Sequence, residues 1–255
     1  MVKCPTCGFV YQNPRPSQDE LLNIYQTYLP TEKNEIEAWG VMMEPVFKKS
    51  AALIERYTPQ GRVLDVGAGY GFFLALMQSR GWHVTGVEIS HTGVRYGREQ
   101  FGIPILFLPW EKTSFKDGEF DVITAFYVIE HFLDPLAFLK EAYRILRPGG
   151  IVLLRYPHTT PIKNILSLLG IKKHLYHLPF HMSDFSPKTM GISLKKAGFQ
   201  QTKTFIGGFT AHPDFSARVT GVFFSTMAEF LYAISWGWIL LPGVSKTTVA
   251  QKEEK

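Results

Sequence analysis

Residues 63–74, Val-Leu-Asp-Val-Gly-Ala-Gly-Tyr-Gly-Phe-Phe-Leu, constrain the architecture more than any other stretch of the chain. Val63 to Val66 is a short apolar, β-branched run of the kind that fills a buried parallel strand. Gly67, Ala68, Gly69 and Gly71 then make a tight loop, and Phe72 to Met77 opens a helical pattern. A strand that ends in glycines and feeds a helix offers unpaired N–H groups, the positive end of a helix dipole and a backbone that a ligand can approach closely. The dinucleotide fingerprint G-x-G-x-x-G needs a glycine at position 72, where this chain has Phe72. Instead the third glycine comes one residue early, at Gly71, and an acid, Asp65, stands two residues before the first. A nicotinamide oxidoreductase is therefore disfavoured.

The pattern around this loop alternates. Strand-like runs lie at about 62–67, 82–88, 104–108, 120–126 and 151–156, and helical patterns at 71–79, 91–101 and 135–146 separate most of them. Met43, Val46, Phe47, Ala51, Ile54 and Tyr57 recur at helical spacing, so an amphipathic helix leads into the first strand. Such βαβα alternation implies an α/β fold, a parallel sheet with helices on both faces, whose ligands bind at the carboxyl ends of the strands. With 255 residues, 45% of them hydrophobic, the chain is long enough for a substantial core.

The D-x-G-x-G-x-G spacing from Asp65 to Gly71 resembles motif I of the class I S-adenosylmethionine (SAM) dependent methyltransferases. Phe120-Asp-Val, Glu130-His131 and Asp134-Pro135, followed by Leu146-Arg-Pro-Gly-Gly150, resemble the corresponding stretches of the quinone-biosynthesis type within that family. Pro179-Phe-His181, Phe185-Ser-Pro and Ala197-Gly-Phe199 carry the likeness to about residue 206. The resemblance implies a Rossmann-like, doubly wound sheet of seven strands, mostly parallel, with an antiparallel last strand near Thr247 to Ala250. It divides the chain into residues 1–30, a zinc-ribbon remnant with a short helix over 19–28, and a methyltransferase domain over 31–255 with substrate-cap insertions at 160–245.

On that frame SAM is the expected cofactor. Asp65 and the loop Gly67, Ala68, Gly69, Gly71 and Phe72 would hold its methionine end. Glu88, the acid that closes the second strand, suits the ribose hydroxyls, with Ile89 against the adenine. Families with this layout place an acid where Pro109 stands, so the adenine edge falls to backbone groups or to Trp110 and Glu111. Ala125, Phe126 and Tyr127 would line the sulfonium side. Methyl transfer is an in-line displacement that needs alignment and water exclusion more than a metal. In quinone-type O-methylating enzymes a Glu three residues before the Glu-His pair helps hold a divalent cation; here that position is Tyr127, and no metal is expected.

His131 could face the acceptor, orient the sulfonium side or complete a turn, and those readings stay level. His181, before a helix capped by Ser186-Pro187, could take a proton from a hydroxyl or amine, or be a hydrogen-bonded structural residue. His174 and His177 are weaker versions of the same idea.

Cys4-Pro-Thr-Cys7-Gly8 is half of a zinc site, and the chain has no other cysteine. Three readings stay open, in order: a loop without metal, zinc shared across a dimer, and a redox pair. The net charge of +5 is uneven. Residues 1–150 carry 15 Lys and Arg against 17 Asp and Glu, and residues 151–255 carry 12 against 5. A basic last third suits an anionic partner or a membrane surface, or is a solvated face; the scattered lysines offer no nucleic-acid motif. The start of the chain lacks the pattern of a secretory signal, which makes a cytoplasmic location the expectation, with a monomer or homodimer.

Residues 221–241 are nearly apolar, but Glu229 and Gly237 interrupt them. They read first as a buried or pocket-covering helix, second as an interfacial membrane helix with peripheral contact, and last as a span. The expected activity is methyl transfer from SAM to a small-molecule acceptor of lipid, quinone or sugar type. A non-catalytic SAM-binding or membrane-associated protein is the alternative.

Overall fold

In the computed structural model residues 1–26, 28–171, 175–211, 214–241 and 245–254 are described, with backbone alone for 215–218. Two short strands, β1 (Val2–Lys3) and β2 (Val10–Tyr11), precede helices α1 (Gln18–Gln26) and α2 (Lys33–Ile54). The alternating part follows as β3 (Arg62–Val66), α3 (Phe72–Ser79), β4 (His83–Glu88), α4 (His91–Phe101), β5 (Ile105–Phe107), β6 (Phe120–Phe126), α5 (Pro135–Ile145) and β7 (Leu146–Tyr156). The remainder is α6 (Thr160–Leu168), β8 (Ser183–Asp184), α7 (Pro187–Ala197), β9 (Gln201–Phe205), α8 (Phe215–Ile234) and β10 (Lys246–Gln251).

One sheet has seven strands in the order β5-β4-β3-β6-β7-β10-β9. β10 runs antiparallel to both of its neighbours, and the remaining pairs are parallel. The winding reverses between β3 and β6, so the crevice at their carboxyl ends is the place where this class of sheet binds ligands. Period-two alternation explains the two cores. Leu64, Ile123, Val152 and Leu154 face one layer of helices with Phe138 and Leu139. Val63, Val122, Ile151 and Leu153 face the other with Phe47 and Phe73. Burying one such side chain contributes roughly 1.5–3 kcal/mol. The helices begin where the chain supplies caps: Ser90 accepts from Gly93, Asp134 accepts from Leu136 and Ala137 ahead of Pro135, and Ser186 and Thr189 cap each other.

The seventh strand was not located by sequence patterning. β9 reads Gln-Thr-Lys-Thr-Phe, an edge strand with polar residues where a buried strand would show an apolar run. A second small sheet, β1-β2-β8, ties the N-terminal segment to the rest: Val10 pairs with Asp184 and Tyr11 with Ser183. Phe9 packs at 5.0 Å on Phe185, and Arg15 donates to the Leu133 carbonyl at 2.6 Å. After the Cys4–Cys7 turn Gly8, at φ +80°, donates to the Cys4 carbonyl, and both thiols are free.

The first reading of 221–241 needs correction. Among the described residues α8 is mostly exposed and contributes nothing to the lining of the pocket. Among its described side chains only Ser225 and Ala228 are buried, Glu229 pairs with Lys49 on α2, and the Tyr232 hydroxyl donates to the Thr204 carbonyl at 3.0 Å. Those two polar partners fix the helix on the outside of α2 and β9. Its other side leaves Phe223 and Phe230 exposed, and the turn after it leaves Trp236 93% and Trp238 88% exposed. Among the described residues no helix is long and apolar enough to cross a membrane.

Candidate active site

A cavity of about 510 Å³ opens at the carboxyl ends of β3, β4 and β6. Its size suits a small-molecule site. Two halves with different chemistry meet in it.

The first half is built on the glycine loop. Gly67 and Ala68 both turn their N–H groups onto the Val87 carbonyl, and Gly71 donates to Ala68. Gly69 donates to Glu88 Oε2 at 2.8 Å. These four amides are therefore spent within the protein rather than offered to a ligand. Gly67 has φ +70°, and a Cβ on it would run into a Val128 methyl, so glycine is required. Glu88 closes the corner: Oε1 accepts from Ile89 and Ser90, both at 2.8 Å. Three of roughly four lone-pair sites are thus taken. One ribose hydroxyl would meet a free lone pair, and a second must share with a backbone N–H. Burial pushes Glu88 above the ordinary carboxylate range, against the pull of those three amides. Asp65 is buried, accepts from Thr124 Oγ1 at 2.6 Å, and is pushed up to about 8 by burial.

Ile89, Trp110, Glu111, Phe126 and Tyr127 also line the cavity. Trp110 is buried edge-on to Phe138 at 5.2 Å, and Pro109 lines the wall beside it. Tyr127 sits at φ +57°, its N–H on the Arg155 carbonyl and its hydroxyl accepting from Arg155 Nε at 2.9 Å. Arg155 is itself buried, and its guanidinium also donates to the Gly207 and Gly208 carbonyls.

Three expected cofactor residues lie outside the lining. Gly71 is packed behind the loop on Ile103 and Ile105. Phe72 turns away to the rings of Tyr96 and Phe101, at 5.7 and 5.4 Å, and to the gap left by Gly40 on α2. Ala125 points into the core between β6 and α5. Their work is to shape the loop and the sheet.

The second half is assembled from distant segments. Glu130 and His131 lie on a short 3-10 turn, Ile129–His131, after β6, and His181 comes from the linker before β8. Helix α1 brings Leu21, Leu22 and Tyr25, and α2 brings Met42 and Met43. Sequence reading gave none of these five a role in the site, although Leu21, Tyr25 and Tyr28 recur at helical spacing. His131 Nδ1 lies 2.9 Å from the Phe180 carbonyl, an acceptor only, so Nδ1 carries the hydrogen and Nε2 the lone pair. The Tyr25 hydroxyl donates to the same carbonyl at 2.5 Å and lies 3.1 Å from Nδ1. The rings of His131 and His181 stand 5.0 Å apart, and His177 is 5.4 Å from His181.

Burial lowers His131 to about 4 and His181 to about 3, so both are neutral at pH 7. Glu130 is fully buried with neither carboxylate oxygen partnered, and burial raises it to about 8. The weaker candidate His174 lies outside the described residues.

A family model described as a methyltransferase domain matches residues 42–204. The chain is similar to the ubiquinone/menaquinone biosynthesis C-methyltransferase UbiE of Geotalea daltonii, 28% identical over 75% of this chain and 81% of the relative. It is also 28% identical to a ubiquinone biosynthesis O-methyltransferase of Pseudomonas aeruginosa, over 57% of this chain and 67% of that one. Among solved structures, a SAM-dependent methyltransferase from Thermotoga maritima superposes with a TM-score of 0.58 at 19% identity, covering 91% of this chain and 100% of its own. The phosphoethanolamine N-methyltransferase 2 of Haemonchus contortus, in complex with SAM, gives 0.59 at 16% identity, over 96% of this chain and 62% of its own.

Proposed function

The chain belongs to the methyltransferase-domain family, as a SAM-dependent enzyme, and from that premise we propose how its cavity divides the reaction. SAM takes the glycine-loop half, with its ribose on Glu88 and its methionine end beside Asp65. One observation carries this reading: the amides of Gly67, Ala68, Gly69 and Gly71 are spent internally while two acids, Asp65 and Glu88, line the cavity. A pyrophosphate would need the reverse, free N–H groups and no carboxylate. A sulfonium with an α-ammonium suits the acids.

The acceptor takes the other half and carries an apolar body, since Leu21, Leu22, Met42, Met43 and Phe132 wall that chamber. A quinone, a lipid-like molecule or a sugar derivative with an apolar part fits such walls. In the transfer, a nucleophilic atom of the acceptor forms a bond to the methyl carbon. The sulfur–methyl bond breaks, and sulfur leaves as the neutral thioether of S-adenosylhomocysteine. The acceptor's proton leaves on the side of His131 and His181, whose neutral rings can accept a hydrogen bond from an O–H or N–H. Exposed Phe223, Phe230, Trp236 and Trp238 supply a face for peripheral contact with a membrane from which an apolar acceptor would be drawn.

Incubation with methyl-labelled SAM and separate quinone, lipid and sugar-nucleotide extracts tests the assignment. Label should pass into the quinone or lipid fraction. Transfer confined to a strongly polar acceptor, or none in any fraction, would overturn the apolar-acceptor reading.

A further inference from the structure

We infer that Glu130 receives the acceptor's proton once the sulfonium of bound SAM supplies the positive charge its carboxylate lacks. The inference rests on the division of the cavity given above and deepens it. An oxygen of Glu130 and one ring nitrogen each of His131 and His181 all lie within 4.8 Å of one another. A single acceptor atom seated among three such points can lie about 2.8 Å from each, an ordinary hydrogen-bond length. The backbone keeps the three together: Met182 donates to the Glu130 carbonyl at 2.8 Å, and the Phe180 carbonyl takes the Nδ1 hydrogen of His131. Glu130 lines the cavity, is fully buried and has neither oxygen partnered. A buried carboxylate that only held the fold would be hydrogen-bonded, as Asp184 on β8 is through Thr159 and Thr160.

No neighbour provides the missing charge. Asp184 adds a like one, and Tyr25 and Tyr28, raised by burial, stay neutral. The rings of His131 and His181 are neutral at pH 7, and His177 packs behind His181. Arg155 on β7 spends its guanidinium on Tyr127 and on the Gly207 and Gly208 carbonyls. The described lining of the cavity contains Asp65, Glu88, Glu111 and Glu130 but no Lys or Arg. Burial, helped by Asp184, raises Glu130 to about 8, so before SAM binds it keeps its proton at pH 7. A sulfonium brought into the same cavity favours the ionised form.

The imidazoles hold the acceptor group by hydrogen bonds, but at about 4 and 3 they are far weaker bases than Glu130 and do not retain its proton. In the transfer the acceptor oxygen or nitrogen bonds to the methyl carbon. The sulfur–methyl bond breaks with its electron pair on sulfur, and the acceptor's proton moves on to a Glu130 oxygen. The step begins with a sulfonium and a carboxylate and ends with a thioether and a carboxylic acid, both neutral. A buried chamber favours that cancellation of charge.

Proton counting tests it. SAM and S-adenosylhomocysteine are each titrated calorimetrically into the protein at pH 7, in phosphate and in Tris, whose ionisation enthalpies differ. SAM should release more protons than S-adenosylhomocysteine, by up to about one, because only SAM carries the sulfonium. Glu130→Gln should erase the difference and Glu130→Asp keep it, with affinity for S-adenosylhomocysteine unchanged in both. With whichever acceptor fraction takes label, transfer by Glu130→Gln should fall about 100-fold or more, and Glu130→Asp should recover part of it. Equal release by the two ligands in the wild type, a difference that survives in Glu130→Gln, or transfer by that variant at the wild-type rate would overturn the assignment of Glu130 and leave the cofactor site standing. Binding of neither ligand to the wild type would instead overturn the cofactor reading on which it rests.

Discussion

The two halves of the cavity are finished to different degrees. In the cofactor half the two acids and four of the loop amides are partnered: Glu88 takes three backbone N–H groups, Gly69 among them, Asp65 takes Thr124, and Gly67, Ala68 and Gly71 close on Val87 and Ala68. In the acceptor half a buried carboxylate has none, and two neutral imidazoles face each other. The first half is preorganised for one ligand. The second is held in place by its backbone, through Phe180 and Met182, and keeps its side-chain chemistry available. That contrast separates a shape that many acceptors can share from one that only a particular cofactor fits.

The sharpest way to break the contrast is Gly67→Ala. The new methyl needs a left-handed backbone and the space of a Val128 methyl, which together cost on the order of 2–4 kcal/mol. Calorimetric melting and ligand titration should show a large loss of stability and no S-adenosylhomocysteine binding. Next in size is Glu88→Ala, which strands three amides as well as the ribose. Affinity for S-adenosylhomocysteine should fall about 100-fold or more by titration, in line with the few kcal/mol of charged hydrogen bonds.

Proton linkage gives a smaller effect. Asp65 rises from 3.8 in the open chain to about 8 in the fold, so the free protein keeps a proton that the unfolded chain has lost. That part of its stability is present below about pH 4 and fades as pH climbs to 8, by at most about 1.4 kcal/mol per unit. A ligand ammonium favours the ionised form. The thermal shift given by S-adenosylhomocysteine should therefore grow from pH 6 to pH 8, and Asp65→Asn should flatten it. Smallest is Tyr25→Phe, which removes one donor to the Phe180 carbonyl, about 1 kcal/mol. Methyl transfer should slow several-fold with S-adenosylhomocysteine affinity unchanged, since Tyr25 belongs to the second half.

The same contrast explains what could be read in the chain. The cofactor half is local: strand, loop and helix follow one another from residue 62 to 79, and Glu88 closes the next strand, so spacing alone exposes them. Even there the direction of the amides was hidden, because it depends on how β4 sits beside the loop. The acceptor half joins α1, the turn at 129–131 and the linker at 177–181 through tertiary packing, which no periodicity encodes. His131 and His181 stood out as residues, but Tyr25 and the orphaned state of Glu130 did not. β9 escaped because an edge strand needs no apolar face, and α8 misled because Glu229 and Tyr232 set its place from outside.

Side-by-side calorimetric titration of S-adenosylhomocysteine into the wild type, Glu88→Ala and His181→Gln tests the division of the cavity most directly. Affinity should collapse in Glu88→Ala and match the wild type in His181→Gln. Binding retained in Glu88→Ala, or lost in His181→Gln, would contradict it.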